Sequence, residues 1–239
     1  KNLFREANDV LARQTKPFFA VIQTADNHRP YTIPKEDLQE FSKVDFPVET
    51  LKRGGFESIE ELNAFRYTDY CFKKFFEAAR QSAYFANTIF VFVGDHGIDG
   101  DAGVMFPPAW TEHKLTSYHI PLLFYGPKLV SPQRVHAVAS MVDILPTLAG
   151  MVNIPYRNTT MGRDLLRQQE LDGGRSNVAF IIDRHDQWIG LIKQQHFGRH
   201  RLDGARPEVV WADFSAPPPS VMAASREDYG ALTNAFYET

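Results

Sequence analysis

The 239-residue chain reads as an α/β fold: a mainly parallel sheet sandwiched by helices, followed by a small antiparallel sheet plus a helix. Three observations predict this. Residues 88–93 (TIFVFV) and 18–24 (FFAVIQT) are short, continuous apolar runs, as expected of strands buried on both faces. Each run ends abruptly in a polar cluster, and in open α/β sheets ligands gather just beyond the carboxyl ends of strands. After residue 172 the runs become short and turn-separated, the pattern of an antiparallel sheet.

Taken in order, residues 4–14 place Phe4, Ala7, Val10 and Leu11 on one helical face, and Lys16-Pro17 ends that helix. The 18–24 strand leads into ADNHRPY (25–31). Residues 32–57 carry Pro34, Pro47 and Gly54-Gly55 and read as an irregular surface excursion. Ser58 followed by Glu61 marks a helix start. Beyond it Phe72, Phe75, Phe76, Ala79 and Ala83 form an apolar stripe, with Cys71 beside it as a small core residue. Residues 119–125 (HIPLLFY) predict a third strand, irregular at Pro121, and 135–139 a further short one, with His136 structural. Asp143 is a natural helix N-cap, with Pro146 at N3. A polar, Gly-bearing stretch at 168–174 marks a boundary between a core portion (1–172) and a small α+β subdomain (173–239). Strands are expected there at 178–182, 188–192 and 208–211. Pro217-Pro218-Pro219 links them to a closing helix at 226–237.

Composition narrows the function. With 44% hydrophobic and 23% charged residues the chain is ordinary globular material. A net charge of −3 gives no electrostatic footing for a nucleic-acid partner. Cys71 is the only cysteine, which excludes an internal disulfide and a cysteine-based zinc cluster. No apolar stretch approaches the ~20 residues that cross a bilayer. There is no initiator Met or signal peptide, and KNLFREAND reads as a helix interior, so the chain is expected to be a piece of a longer protein.

Chemistry concentrates at the strand ends. Asp95-His96 follows the 88–93 run at Gly94, and a hard carboxylate beside an imidazole is a plausible half of a divalent-metal site. The same tripeptide also reads as a turn, with Asp95 as a cap and Gly97 supplying a positive φ. His28 follows the other strand as a candidate for chemistry or as a structural turn residue. The long segment 98–118 holds His113 and Lys114, candidates for an anionic substrate. Asp99 and Asp101 lack the spacing of a calcium loop.

Four motifs in order, TADNHRPY (24–31), VFVGDHG (91–97), YHIPLLFYGP (118–127) and SMVDILPTLAG (140–150), resemble the second half of a sulfatase-like domain of the alkaline phosphatase superfamily. Asn27, His28, Pro30 and Tyr31 are most similar to the lipoteichoic acid synthase, or phosphoglycerol transferase, branch. The resemblance covers roughly residues 15–165 and implies an alkaline-phosphatase-like core. It implies that Asp95 and His96 are two ligands of a catalytic divalent metal (Mn2+, Mg2+ or Zn2+) and that His28 contacts the substrate's phosphate or leaving oxygen. It also implies that the nucleophile and an acidic ligand lie upstream, so that this chain holds half an active site. Cys71, in DYCFKKF, lacks the proline and arginine that follow a sulfatase's modified cysteine.

The function implied is metal-dependent transfer or hydrolysis of a phosphate-type ester through a covalent intermediate. The partners implied are an anionic lipid headgroup or a sulfate or phosphate ester, the upstream half of the same domain, and a bacterial membrane that anchors the parent with this domain outside the cytoplasm. Two alternatives stand beside it: a sulfatase on the same scaffold, and a non-catalytic domain that binds a glycan or a partner.

Overall fold

The computed structural model describes residues 1–98, 100, 106, 108–167, 178–193 and 196–204, and the backbone of 208–211. The chain forms two compact units, Lys1–Pro132 and Gln133–Thr239. The expected boundary at 172–173, the proline linker and the closing helix at 226–237 lie outside the described residues.

In the first unit, α1 (Asn2–Ala12) packs on the long α3 (Ile59–Ala79), and the short α2 (Val48–Arg53) and a 3-10 turn at Lys35–Gln39 lie in the connection between them. Residues 32–57 are therefore more regular than their Pro and Gly content predicts. Phe4 and Leu11 are buried, whereas Val10 is half exposed, so the inward face of α1 is Phe4, Ala7 and Leu11.

Helix α3 starts as its sequence predicts: the Ser58 hydroxyl accepts from the Glu61 amide at 3.1 Å, and Glu60 and Glu61 sit at the positive end of the helix dipole. Its buried stripe is Ala64, Tyr67, Cys71, Phe75 and Ala79. Phe72 and Phe76 flank it, and Ala83 lies past the helix end and is exposed. Phe4, Ile33, Phe41, Tyr67, Cys71, Phe75 and Ala79 form one core, with Ile22 and Phe90 packed against it.

Strand β1 (Phe90–Val93) pairs with β2 (Leu122–Tyr125), and the pairing is antiparallel, Phe90 opposite Tyr125 and Val93 opposite Leu122. Among the described residues no parallel pair occurs. A continuous apolar run reports burial, not strand direction, and this one is only half buried, with Val93 exposed. The expected strand at 18–24 joins no ladder: Ile22 packs against the core while Phe19 and Val21 are about four-fifths exposed, at 77% and 80%. Strandedness needs a hydrogen-bonded neighbour, which apolar patterning cannot supply. The same holds for residues 135–139, which join no ladder and leave His136 exposed.

A polar clamp ties the first unit together. Lys1 Nζ lies 2.6 Å from Asp37 and 3.2 Å from Glu40, Tyr67 donates to Asp37, and Tyr70 donates to Glu40 at 2.6 Å. Burial would raise the Asp37 carboxyl, but the Lys1 ammonium and the Tyr67 hydroxyl outweigh it and hold it below its ordinary value of 3.8. The Glu40 hydrogen bond pushes the Tyr70 hydroxyl up to about 12. A carboxylate depressed in the folded state stabilises it fully above the unfolded value and stops doing so as the pH falls through the folded one. The urea midpoint is therefore expected to drop between pH 5 and pH 3, with a shallower slope in Asp37→Asn. An unchanged slope in that variant would rule Asp37 out as the group responsible.

In the second unit, Ser140 caps a 3-10 turn (Met141–Asp143) that runs into α5 (Ile144–Met151), with Pro146 at the expected N3 position. Asp143 is not the side-chain cap expected from sequence. It closes a capping box instead, accepting from the Ser140 amide at 2.8 Å, and it also receives the Arg163 amide at 2.9 Å. The antiparallel sheet predicted near the carboxyl end is present, with strand order β3-β4-β5-β6: β3 (Val178–Asp183), β4 (Trp188–Lys193), β5 (His196–Arg201) and β6 (Glu208–Trp211). Strand β5 was not foreseen, because HFGRHR alternates in charge rather than in apolar content.

Candidate active site

The turn after β1 presents Asp95 and His96, both side chains mostly exposed, with the Asp95 Oδ1 and His96 Nε2 atoms 4.0 Å apart. Asp95 Oδ1 accepts from the His96 amide at 3.0 Å. His96 Nδ1 lies 2.8 Å from the Gly97 carbonyl oxygen. A carbonyl only accepts, so the Nδ1 nitrogen donates in this contact, and the neutral ring then carries its lone pair on Nε2. This is the arrangement that orients a metal-binding histidine.

Gly97 is there for space, not for a positive φ. Its φ lies outside the left-handed region, but a Cβ on it would run into the Thr116 carbonyl oxygen and stand 3.1 Å from that of His119. That close approach lets the Gly97 amide donate to Ser117 at 2.7 Å, which docks the 3-10 turn Leu115–Ser117 against the Asp95–His96 turn. Lys114 immediately precedes that turn with a left-handed φ of 54°, and His113 follows α4 (Pro108–Glu112). Phe106 and Trp110 stack at 4.4 Å, with His119 edge-on to both. Asp99 and Asp101 lie outside the described residues.

His28 occupies two consecutive turns: its amide donates to the Ala25 carbonyl and its carbonyl accepts from the Tyr31 amide at 3.0 Å. Its exposed ring has Nδ1 2.8 Å from the Arg29 carbonyl, which again leaves Nε2 outward. Helix α3 carries this turn through Thr68, whose hydroxyl donates to Asn27 at 2.6 Å. The same helix fixes direction. Phe76 meets Phe90 at 5.2 Å and Phe72 meets Phe92 at 5.2 Å, so β1 runs antiparallel to α3. The carboxyl end of β1 therefore points toward the amino-terminal half of α3, the half that grips the His28 turn. Thus Asp95 and His96 follow the carboxyl end of β1, the His28 turn is tied to α3 through Asn27, and the Gly97 bond to Ser117 holds the 3-10 turn that His113 and Lys114 precede.

Among the described residues no group of three or more His, Cys, Asp or Glu side chains is placed to hold a metal ion. The donor set of Asp95 and His96 fits two positions of a divalent-metal site: one hard anionic oxygen and one neutral nitrogen of fixed tautomer. Cys71, on the inner face of α3, is fully buried in the core.

The first unit packs α3 against a two-stranded antiparallel sheet, and the carboxyl end of β1 carries Asp95 and His96. A solved alkaline phosphatase superfamily protein from Vibrio parahaemolyticus is similar in fold, with a TM-score of 0.66 at 22% identity over 99% of this chain and 54% of that one. The Sulfatase family model matches residues 1–154, and the chain belongs to that family. Lipoteichoic acid synthase 2 of Bacillus subtilis (strain 168) is 25% identical over 180 residues, 71% of this chain and 26% of that protein. Arylsulfatase K of Canis lupus familiaris is 32% identical over 148 residues, 56% of this chain and 26% of that protein. The chain thus spans about a quarter of the length of these curated relatives.

Proposed function

We propose that the chain is part of a metal-dependent enzyme that transfers or hydrolyses a phosphate-type ester, in the manner of a phosphoglycerol transferase. The observation that supports this reading is the Asp95–His96 turn after β1, a carboxylate oxygen and an imidazole nitrogen 4.0 Å apart with the other ring nitrogen on the Gly97 carbonyl. A divalent cation (Mn2+, Mg2+ or Zn2+) held in part by these two residues would polarise the tetrahedral centre and lower the charge barrier to attack.

The residues of this chain then do the following. Asp95 contributes negative charge and His96 its Nε2 lone pair. His28, as an imidazolium whose Nδ1 stays on the Arg29 carbonyl, donates from Nε2 and stabilises charge on the leaving or a non-bridging oxygen as the phosphorus–oxygen bond breaks. Lys114 and His113 hold the anionic part of the substrate. The nucleophile's oxygen, carried in the half of the domain that precedes this chain, forms the new ester bond, and water or a second acceptor resolves it.

That preceding half is also the proposed partner of the apolar face at Phe19 and Val21, whose exposure supports an apolar cover packed there. The substrate class is an anionic lipid headgroup or related ester, not nucleic acid. The proposed setting is the outer face of a bacterial membrane, with the anchor elsewhere in the parent; no helix among the described residues is long and apolar enough to cross a membrane. Similarity to an arylsulfatase supports sulfate-ester hydrolysis as the second reading.

The test is turnover by the whole protein, with and without manganese, on a phosphodiester, a phosphomonoester and an aryl sulfate. Manganese-dependent diester cleavage is expected. Preferential aryl sulfate cleavage would shift the assignment to a sulfatase, and folded protein inert on all three and unable to bind manganese would leave a binding domain.

A further inference from the structure

We propose that Glu61 and Thr68 are positioning residues that set the His28 side chain from α3, an inference resting on the reading that His28 meets substrate. Glu61 is only 2% exposed and Thr68 7%. They lie seven residues apart, hence on one face of the helix, about 10 Å apart along its axis. The rest of that buried face is mostly apolar. A buried carboxylate costs several kcal/mol unless its oxygens are bonded, and both are: Oε1 accepts from the Tyr31 hydroxyl at 3.0 Å and Oε2 from the Glu57 amide at 2.7 Å. Helix capping alone does not explain this. The capping contact is made by the Glu61 amide on Ser58, while the carboxylate reaches on to Tyr31.

The two helix residues hold the His28 turn on both sides. Thr68 grips Asn27, the residue before His28, and Glu61 grips Tyr31, three residues after it. Between them, Arg29 pairs with Glu57, whose amide is bonded to Glu61. Tyr31 sits at φ 58°, a left-handed conformation unfavourable for an aromatic residue, which persists only where surroundings over-determine it. Its hydroxyl is raised above its ordinary value, chiefly by burial, and so stays a donor to Glu61. An exposed turn with an unfavourable backbone is thereby fixed by a buried carboxylate, and the His28 ring follows the turn through its bond to the Arg29 carbonyl.

The test uses the full-length protein with Tyr31→Phe, which removes one oxygen, and Glu61→Gln, which keeps shape but cannot accept at both positions. Each is expected to lower kcat about tenfold to a hundredfold, the cost of misplacing a reacting group by about 1 Å, while KM changes less than twofold. In a His28→Ala background the same changes should cost nothing further. Losses that multiply in that background would overturn the proposal, because a general effect on folding adds to the loss of His28. With 13C-labelled histidines, the His28 ring resonance is expected to move in both variants while that of His136, in the other unit, stays. An unmoved His28 resonance also overturns it. Full turnover by His28→Ala with a moved resonance would uphold the clamp and remove His28 from substrate contact.

Discussion

Replacing Asp95 by alanine is expected to lower metal-dependent turnover by the whole protein about a thousandfold without unfolding it. The side chain is mostly exposed and bonds only the adjacent amide, so its loss resembles an ordinary surface substitution, within about 0.5 kcal/mol. Its charge is another matter. Losing a hard anionic ligand removes several kcal/mol of transition-state stabilisation, and about 4 kcal/mol corresponds to a thousandfold at 1.36 kcal/mol per decade. Asp95→Asn separates the two contributions, because its amide oxygen still accepts from the His96 amide while the charge is gone. It should fold identically and remain about as inactive as the alanine variant. The measurements are kcat/KM across a manganese titration, metal content of the purified protein, and the urea midpoint. Unchanged manganese content and turnover in Asp95→Ala would sink the metal assignment.

Gly97→Ala is expected to cost about 1–3 kcal/mol of stability, the usual range for overpacking, and about a hundredfold in turnover. Alanine meets no conformational objection there, since the φ of Gly97 lies outside the left-handed region. The obstacle is the Thr116 carbonyl oxygen, a backbone atom that cannot rotate away as a side chain would. Relief requires residues 115–119 to back off, which stretches the 2.7 Å bond from the Gly97 amide to Ser117. The Gly97 carbonyl also holds the His96 ring, so the shift carries Nε2 away from Asp95. Misplacement by about 1 Å at a reacting group is enough for the hundredfold loss. Normal urea midpoint and normal turnover in Gly97→Ala would show that the loop accommodates the methyl group and that this contact does not set the site.

The position of Asp95 and His96 after a strand was legible in the apolar run that ends at Gly94, whereas the run before His28 joins no ladder and that residue follows an unpaired segment. The bonds that orient them were partly legible too: Ser58 and Glu61 announce a helix start, and the structure has one there. The second use of Glu61, its carboxylate on Tyr31, was not. Tyr31 and Glu61 stand thirty residues apart with no shared periodicity, and only the packing of the turn on α3 joins them. Thr68 was missed for the same reason: a threonine between apolar helix positions looks like a tolerated polar neighbour until its partner Asn27 is in place.

The sequence by itself determined where chain segments stiffen, which residues end them and which family the chain belongs to, because apolar period, capping residues and short motifs are local properties. Tertiary structure alone decided that β1 and β2 pair antiparallel, that residues 18–24 join no ladder, and that Gly97 serves close approach rather than a positive φ. Each of these depends on which distant backbone lies alongside. Hydrogen-bond partners and steric room are supplied by neighbours in space, and a one-dimensional pattern of apolar and polar residues does not specify them.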